Sequence, residues 1–339
     1  MKPAHRKALI AAIPGGVSPL ARALFYTFRG TEMRLRANIG PTPQAEGTAP
    51  VFIIGCGRSG TSILGDLFAM HPQVEYLYEP NARWAAVDPA TDYLQQYSRY
   101  TPHCTLGAQF ATSMAKYRFQ RLMSPPRGRT LVEKTPINAL RIGFLDAIAP
   151  GSRFVHIVRD GIHVSRSIEQ IAAASRGVAF RPPLNNWWGV GNVKWTALAQ
   201  EGAAAGYYAS EVSRLTTDAE RGAYEWLVSL REVDRWRARL GTRLIELRLD
   251  DLIDDPRETL ASVITAAGLT LADERWLDQA VRKVQPMKNN YDPGLILPGQ
   301  MCADFNEWQE HYRFAGRASA LEDSAVPGSG ALLDGRGGV

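Results

Sequence analysis

The chain has 339 residues, 45% hydrophobic and 22% charged, the composition of an ordinary globular protein with room for one large domain or two smaller ones. Its net charge of +5, carried mostly by arginine, suits anionic small molecules as well as nucleic acid or membrane. No basic run is interleaved with aromatics, however, which argues against nucleic acid. Cys56, Cys104 and Cys302 lie far apart without metal-ligand spacing, so no disulfide framework, no metal and a cytoplasmic location are expected.

At the N-terminus, "ALIAAIPGG" is too short and too interrupted for a signal peptide, and no stretch reaches the roughly 18 to 20 apolar residues of a membrane span. "SPLARALFYTFRGTEMRLR" places apolar residues at helical spacing with arginines between them. A helical extension over 1–36 is expected, docked on the main domain, with peripheral membrane contact as the alternative. A Pro/Gly/Ala/Thr linker follows over 37–50.

The main domain, 51–316, opens on the strand 51–54. Further strands are expected at 74–78, 129–133, 153–158 and 243–249, and helices at 62–70, 137–148, 161–174, 224–240 and 257–267. Strands alternating with helices indicate an α/β domain on a mostly parallel sheet, with useful residues just past the strand ends. An insertion at 176–222, centred on "RPPLNNWWGVGNVKW", interrupts the alternation. Residues 317–339, rich in Gly, Ser and Ala, form an expected disordered tail.

"VFIIGCGRSGTSILGDLF" (51–68) is an apolar strand, a Gly-rich turn and an amphipathic run. It fits the phosphate-loop pattern at Gly55, Gly60 and Ser62, but Thr61 stands where the lysine belongs. Such a turn aims backbone N–H groups at one spot, where the helix's positive end favours an anion. Without the lysine, and without an apolar strand ending in an Asp to serve a metal, a metal-free phosphate clamp fits better than a kinase. In "FVHIVRDGIHVSRSI" a second strand ends in Arg159, with Ser167 eight residues on. Together these can grip another phosphate, so two separate grips imply a ligand with two separated phosphates.

These motifs resemble the sulfotransferases that use 3′-phosphoadenosine-5′-phosphosulfate (PAPS). The "RSGT" loop is similar to the family's 5′-phosphosulfate loop, and the Arg–Ser pair to its 3′-phosphate site. "RSGTSILGDLFAMHPQVEYLYEP" is closest to the carbohydrate and tyrosyl-protein branches, and "LIELRLDDLIDDPRETL" resembles their strand–acidic-loop–helix element. The resemblance implies a P-loop-like three-layer αβα domain that binds PAPS and releases adenosine 3′,5′-bisphosphate. Cofactor contacts would come from Gly57, Arg58, Ser59, Gly60, Thr61, Ser62, Arg159 and Ser167, with Lys288 in "PMKNNYDPG" added from its place in the chain. Gly161 departs from the family's "RDP".

Sulfuryl transfer needs a base for the acceptor hydroxyl and a cation for the bridging oxygen. Glu79, ending "VEYLYE", matches the catalytic Glu of the tyrosyl-protein branch. Lys134, in "LVEKTP", resembles that branch's lysine on the bridging oxygen. Glu133 is an alternative base. His71 is expected to end the first helix, His156 to be a satisfied core residue and His163 to be exposed, and Trp187 and Trp188 either line the acceptor pocket or belong to the core. The implied reaction is transfer to a sugar, glycolipid or phenolic hydroxyl. A P-loop-like kinase, and a non-catalytic module that only binds nucleotide, are the rivals.

Overall fold

The computed structural model describes residues 19–40, 48–176, 187–271, 275–285 and 294–321. Lys288, the first 18 residues, the middle of the linker, the centre of the insertion and the tail from 322 lie outside the described residues.

Five parallel strands form the central sheet in the order β2-β3-β1-β4-β5: β1 (Val51–Ile54), β2 (Val74–Tyr78), β3 (Thr130–Lys134), β4 (Arg153–Val158) and β5 (Leu244–Arg248). β1 is the middle strand and is buried throughout. Its "VFII" therefore reads as a continuous apolar run, as a strand covered on both faces must. Phe52 and Ile54 face one apolar cluster, with Trp84, Phe119 and Phe144. Val51 and Ile53 face another, with Leu64, Leu252 and Leu260. Helices thus cover both faces of a mostly parallel sheet, the expected three-layer α/β architecture.

The helices, in chain order, are α1 (Pro19–Asn38), α2 (Thr61–Phe68), α3 (Asn81–Val87), α4 (Ser113–Met123), α5 (Ile142–Ile148), α6 (Gly161–Arg176), α7 (Val193–Ala204), α8 (Asp218–Leu240), α9 (Leu249–Asp254), α10 (Pro256–Ala266), α11 (Arg275–Val281) and α12 (Gly299–His311). Several bounds differ from those read in the sequence. β3 runs one residue later than expected, because its ladder with β2 continues to the pair Tyr78↔Lys134. α8 begins at Asp218 rather than 224, started by a capping box between Thr217 and Glu220. The acidic loop after β5 is the short helix α9, held by buried Leu249 and Leu252. The helix expected over 137–148 is split into a 3-10 turn (Pro136–Leu140) and α5. At the break, buried Arg141 donates to the carbonyls of Thr91, His103 and Cys104. At the C-terminal side, β7 (Ser319–Ala320) pairs with β6 (Ile296–Leu297), so the first residues assigned to the tail carry a strand.

Candidate active site

Because β1 lies between β3 and β4, the turns after these three strands converge at the carboxyl end of the sheet. The turn after β1 is locked by crowding. A Cβ at Gly55 would fall 2.5 Å from the Ile157 carbonyl oxygen, one at Gly57 2.3 Å from Trp187 Cη2, and one at Gly60 2.7 Å from Leu249 Cδ1. Gly60 (φ 96°) is the N-cap of α2 and gives no side-chain cap, and the first turn carries no acid. The opening N–H groups of α2 are therefore left for an outside acceptor. Arg58 sits in the turn at φ 72°, a left-handed backbone rare outside glycine, with its side chain exposed. Ser59 and Thr61 are buried.

The two motifs that the sequence treats as separate grips form one hydrogen-bonded unit. Arg58 Nε donates to Ser167 Oγ at 3.0 Å, and Arg159 Nη1 donates to the Arg58 carbonyl at 3.1 Å. Their proximity follows from the pairing of β1 with β4, which sets Ile54 beside His156 and brings the following turns together. Arg159 and Ser167 are both buried.

On the other side of the turn, β3 delivers Lys134. Its side chain is fully buried, and its Nζ donates to Ser62 Oγ at 3.1 Å and to Glu79 Oε1, while lying 3.8 Å from the centre of the Tyr78 ring. Burial pulls the ammonium below its ordinary range and Glu79 pushes back. A cation from β3 thus reaches the start of α2, where the loop has no lysine of its own. Glu79 donates its backbone N–H to the Lys134 carbonyl at 2.8 Å and, like Arg58, has positive φ (38°); its side chain is 30% exposed.

Glu133 lies on the opposite face of β3, as adjacent strand residues must. It is fully buried, accepting from Trp84 Nε1, Asn138 Nδ2 and Thr135 Oγ1, and burial pushes its carboxyl up to about 7 against those bonds. It offers no open face to an acceptor.

Trp187 and Trp188 part ways. Trp188 is core and donates Nε1 to Asp218 at 2.9 Å. Trp187 is half-buried with its ring edge over Gly57, and its Nε1 donates to Glu225 Oε2 at 2.9 Å. Buried Lys194 donates to both Glu225 oxygens, at 2.7 and 2.8 Å, and stands 4.2 Å from the Trp187 ring centre. Sequence reasoning missed this supporting pair. A signal for it existed, since Glu225 interrupts the apolar run "AYEWL" in α8. Of the histidines, His71 faces the Thr270 carbonyl, His156 lies 2.8 Å from Glu246 within the fold, and His163 is half-buried.

The donor set combines the N–H groups of a turn crowded at Gly55, Gly57 and Gly60 with the side chains of Arg58, Arg159 and Lys134 beside it, which is the chemistry of an anion site. Among the described residues, no group of three or more His, Cys, Asp and Glu side chains could hold a metal, and no helix is long and apolar enough to cross a membrane.

The sulfotransferase family's profile matches residues 50–273, which hold the whole sheet and the site. Among solved structures, the chain is similar to the sulfotransferase STF9 from Mycobacterium avium, with 13% identity, 91% of this chain and 90% of that one covered, and a TM-score of 0.50. It also matches the sulfotransferase domain of the Synechococcus PCC 7002 olefin synthase, with 16% identity, 82% and 99% covered, and a TM-score of 0.45. No curated protein matches. At these identities the first likeness speaks for the fold alone, whereas the profile covers most of the chain. The chain belongs to the sulfotransferase family, and it is a PAPS-dependent sulfotransferase.

Proposed function

We propose that the enzyme moves the sulfuryl group of PAPS onto a hydroxyl of a sugar, glycolipid or phenolic metabolite, by in-line displacement with Glu79 as general base. The observation that carries this reading is the meeting of three chain segments at Lys134 Nζ, which holds Ser62 at the start of α2 and Glu79 at the end of β2. Bound PAPS supplies the sulfuryl group and leaves as adenosine 3′,5′-bisphosphate.

The N–H groups of Gly57 to Ser62, with Arg58, hold the 5′-phosphosulfate. Arg159 and Ser167 hold the 3′-phosphate. Lys134 has three N–H donors, of which Ser62 and Glu79 engage two, leaving one for the bridging oxygen. Glu79, partly exposed, takes the acceptor's proton. Once protonated, it releases its ionic hold on Lys134, whose charge then falls on the oxygen where negative charge develops. Trp187 and Tyr93 are partly buried against one apolar cluster, each with a cation over its ring (Lys194 and Arg141), and are the aromatic side chains proposed to border a sugar or phenol ring. Tyr93 is close enough to Glu79 that the carboxylate, after burial, helps raise its phenol's pKa.

The test is transfer from labelled PAPS into separate extracts of sugars, glycolipids, phenols and proteins. Label on a sugar, glycolipid or phenol is expected. Label confined to protein would overturn the acceptor class.

A further inference from the structure

α1 carries two apolar faces. Gly30, Met33 and Ala37 are buried on the side packed against α3 and α4. Leu24, Phe28, Leu35 and Ile39 are each more than half exposed, and Phe25 beside them is 43% exposed. At about 3.6 residues per turn, spacings of four and seven keep Leu24, Phe28 and Leu35 within about 40° of arc, across the helix from the buried face. Ile39, one residue past the helix with its N–H still bonded to the Leu35 carbonyl, follows them. Nine large hydrophobic side chains are exposed among the described residues, and five stand here, so this is a patch rather than ordinary surface scatter.

The patch is bordered by positive charge. The same periodicity sets Arg29 and Arg36 on one flank and Arg34 on the other. The helix's described acid, Glu32, falls by the same periodicity between the stripe and the Arg29–Arg36 flank, where it is paired with both arginines and leaves that flank one net positive charge. Arg121 closes the end of the helix by donating to the carbonyls of Arg36, Ile39 and Gly40, and Arg118 donates to Asn38. The stripe is therefore rigidly presented.

We propose that this face docks on an anionic lipid bilayer, with the stripe at the boundary of headgroups and acyl chains and the arginines reaching the phosphates. A second copy of the chain fits less well. A two-fold contact would set arginine flanks against each other. Five side chains also fall far short of the about 20 to 30 residues a side of a stable protein interface. The inference does not depend on the acceptor.

The test is co-sedimentation of the full chain with vesicles of phosphatidylcholine, alone or with about a third phosphatidylglycerol. Binding to the anionic vesicles only is expected, weakening with salt. Phe28→Ser with Leu35→Ser should lower that affinity on the order of tenfold to a hundredfold, with the melting temperature unchanged. Phe28→Leu should retain binding. Wild-type protein that ignores anionic vesicles, or a double variant that binds as wild type does, overturns the proposal. So does a dimer in sedimentation velocity that the same substitutions dissolve. A large fall in melting temperature would place the stripe inside the fold and overturn it equally.

Discussion

Arg58 Nε donates to Ser167 Oγ at 3.0 Å, joining side chains 109 residues apart, while Arg159 holds the carbonyl of the same Arg58. The turn after β1 and the Arg159–Ser167 segment therefore stiffen one another, and nucleotide binding should depend on both.

Arg159→Ala should nearly erase the preference for adenosine 3′,5′-bisphosphate over the analogue lacking the 3′-phosphate. A charge-assisted bond of this kind contributes about 1.5 to 3 kcal/mol, roughly tenfold to a hundredfold in affinity. Because Arg159 also anchors the turn, a smaller loss is expected for both nucleotides. Arg58→Ala should weaken both, with a smaller loss of discrimination than Arg159→Ala because its Nε also holds Ser167. Calorimetric titration of the two variants checks this, and full discrimination by Arg159→Ala would refute the assignment.

Gly57 and Trp187 make a paired prediction. A Cβ at Gly57 meets the indole at 2.3 Å, so Gly57→Ala must displace the ring or the turn, at a cost of about 1 to 3 kcal/mol. Affinity for adenosine 3′,5′-bisphosphate should fall, and adding Trp187→Ala should restore part of it. An equal loss with and without the indole would mean that the turn, not the ring, resists the methyl group.

Glu133 gives a pH dependence. Burial moves its carboxyl from 4.5 to about 7. A group that binds its proton more tightly when folded adds stability below about 4.5, and that contribution is lost as pH rises through about 7. Glu133→Gln does not titrate. The unfolding free energy of wild type relative to this variant should therefore drop by roughly 1 to 3 kcal/mol between about pH 5 and pH 8 in urea titrations. A flat or rising difference would contradict the burial argument.

Much of this was legible in the sequence because its causes are local. The apolar run "VFII" suffices for a strand covered on both faces, and the glycines around Arg58 for a tight strand-to-helix turn. What was not legible depends on register. Whether Glu133 or Lys134 faces the turn is decided by the pairing of Ile53 with Lys134, and a strand read one residue early leaves both open. Glu79 and Lys134 meet because β2 and β3 are neighbours, an order no single strand encodes. The Lys194–Glu225 pair beneath Trp187 joins a helix in the insertion to α8, and only packing brings them together.

The most direct test of the account is the turnover of Glu79→Gln, followed as labelled sulfuryl transfer from PAPS to whichever hydroxyl acceptor the wild type uses. General base catalysis typically contributes about a hundredfold to ten-thousandfold. Turnover should fall within that range, while affinity for adenosine 3′,5′-bisphosphate stays near wild type because the role lies on the acceptor side. Glu133→Gln, measured beside it, should keep its turnover. A Glu79→Gln enzyme that turns over normally, or one that loses only acceptor affinity, would contradict the assignment of Glu79 as the base.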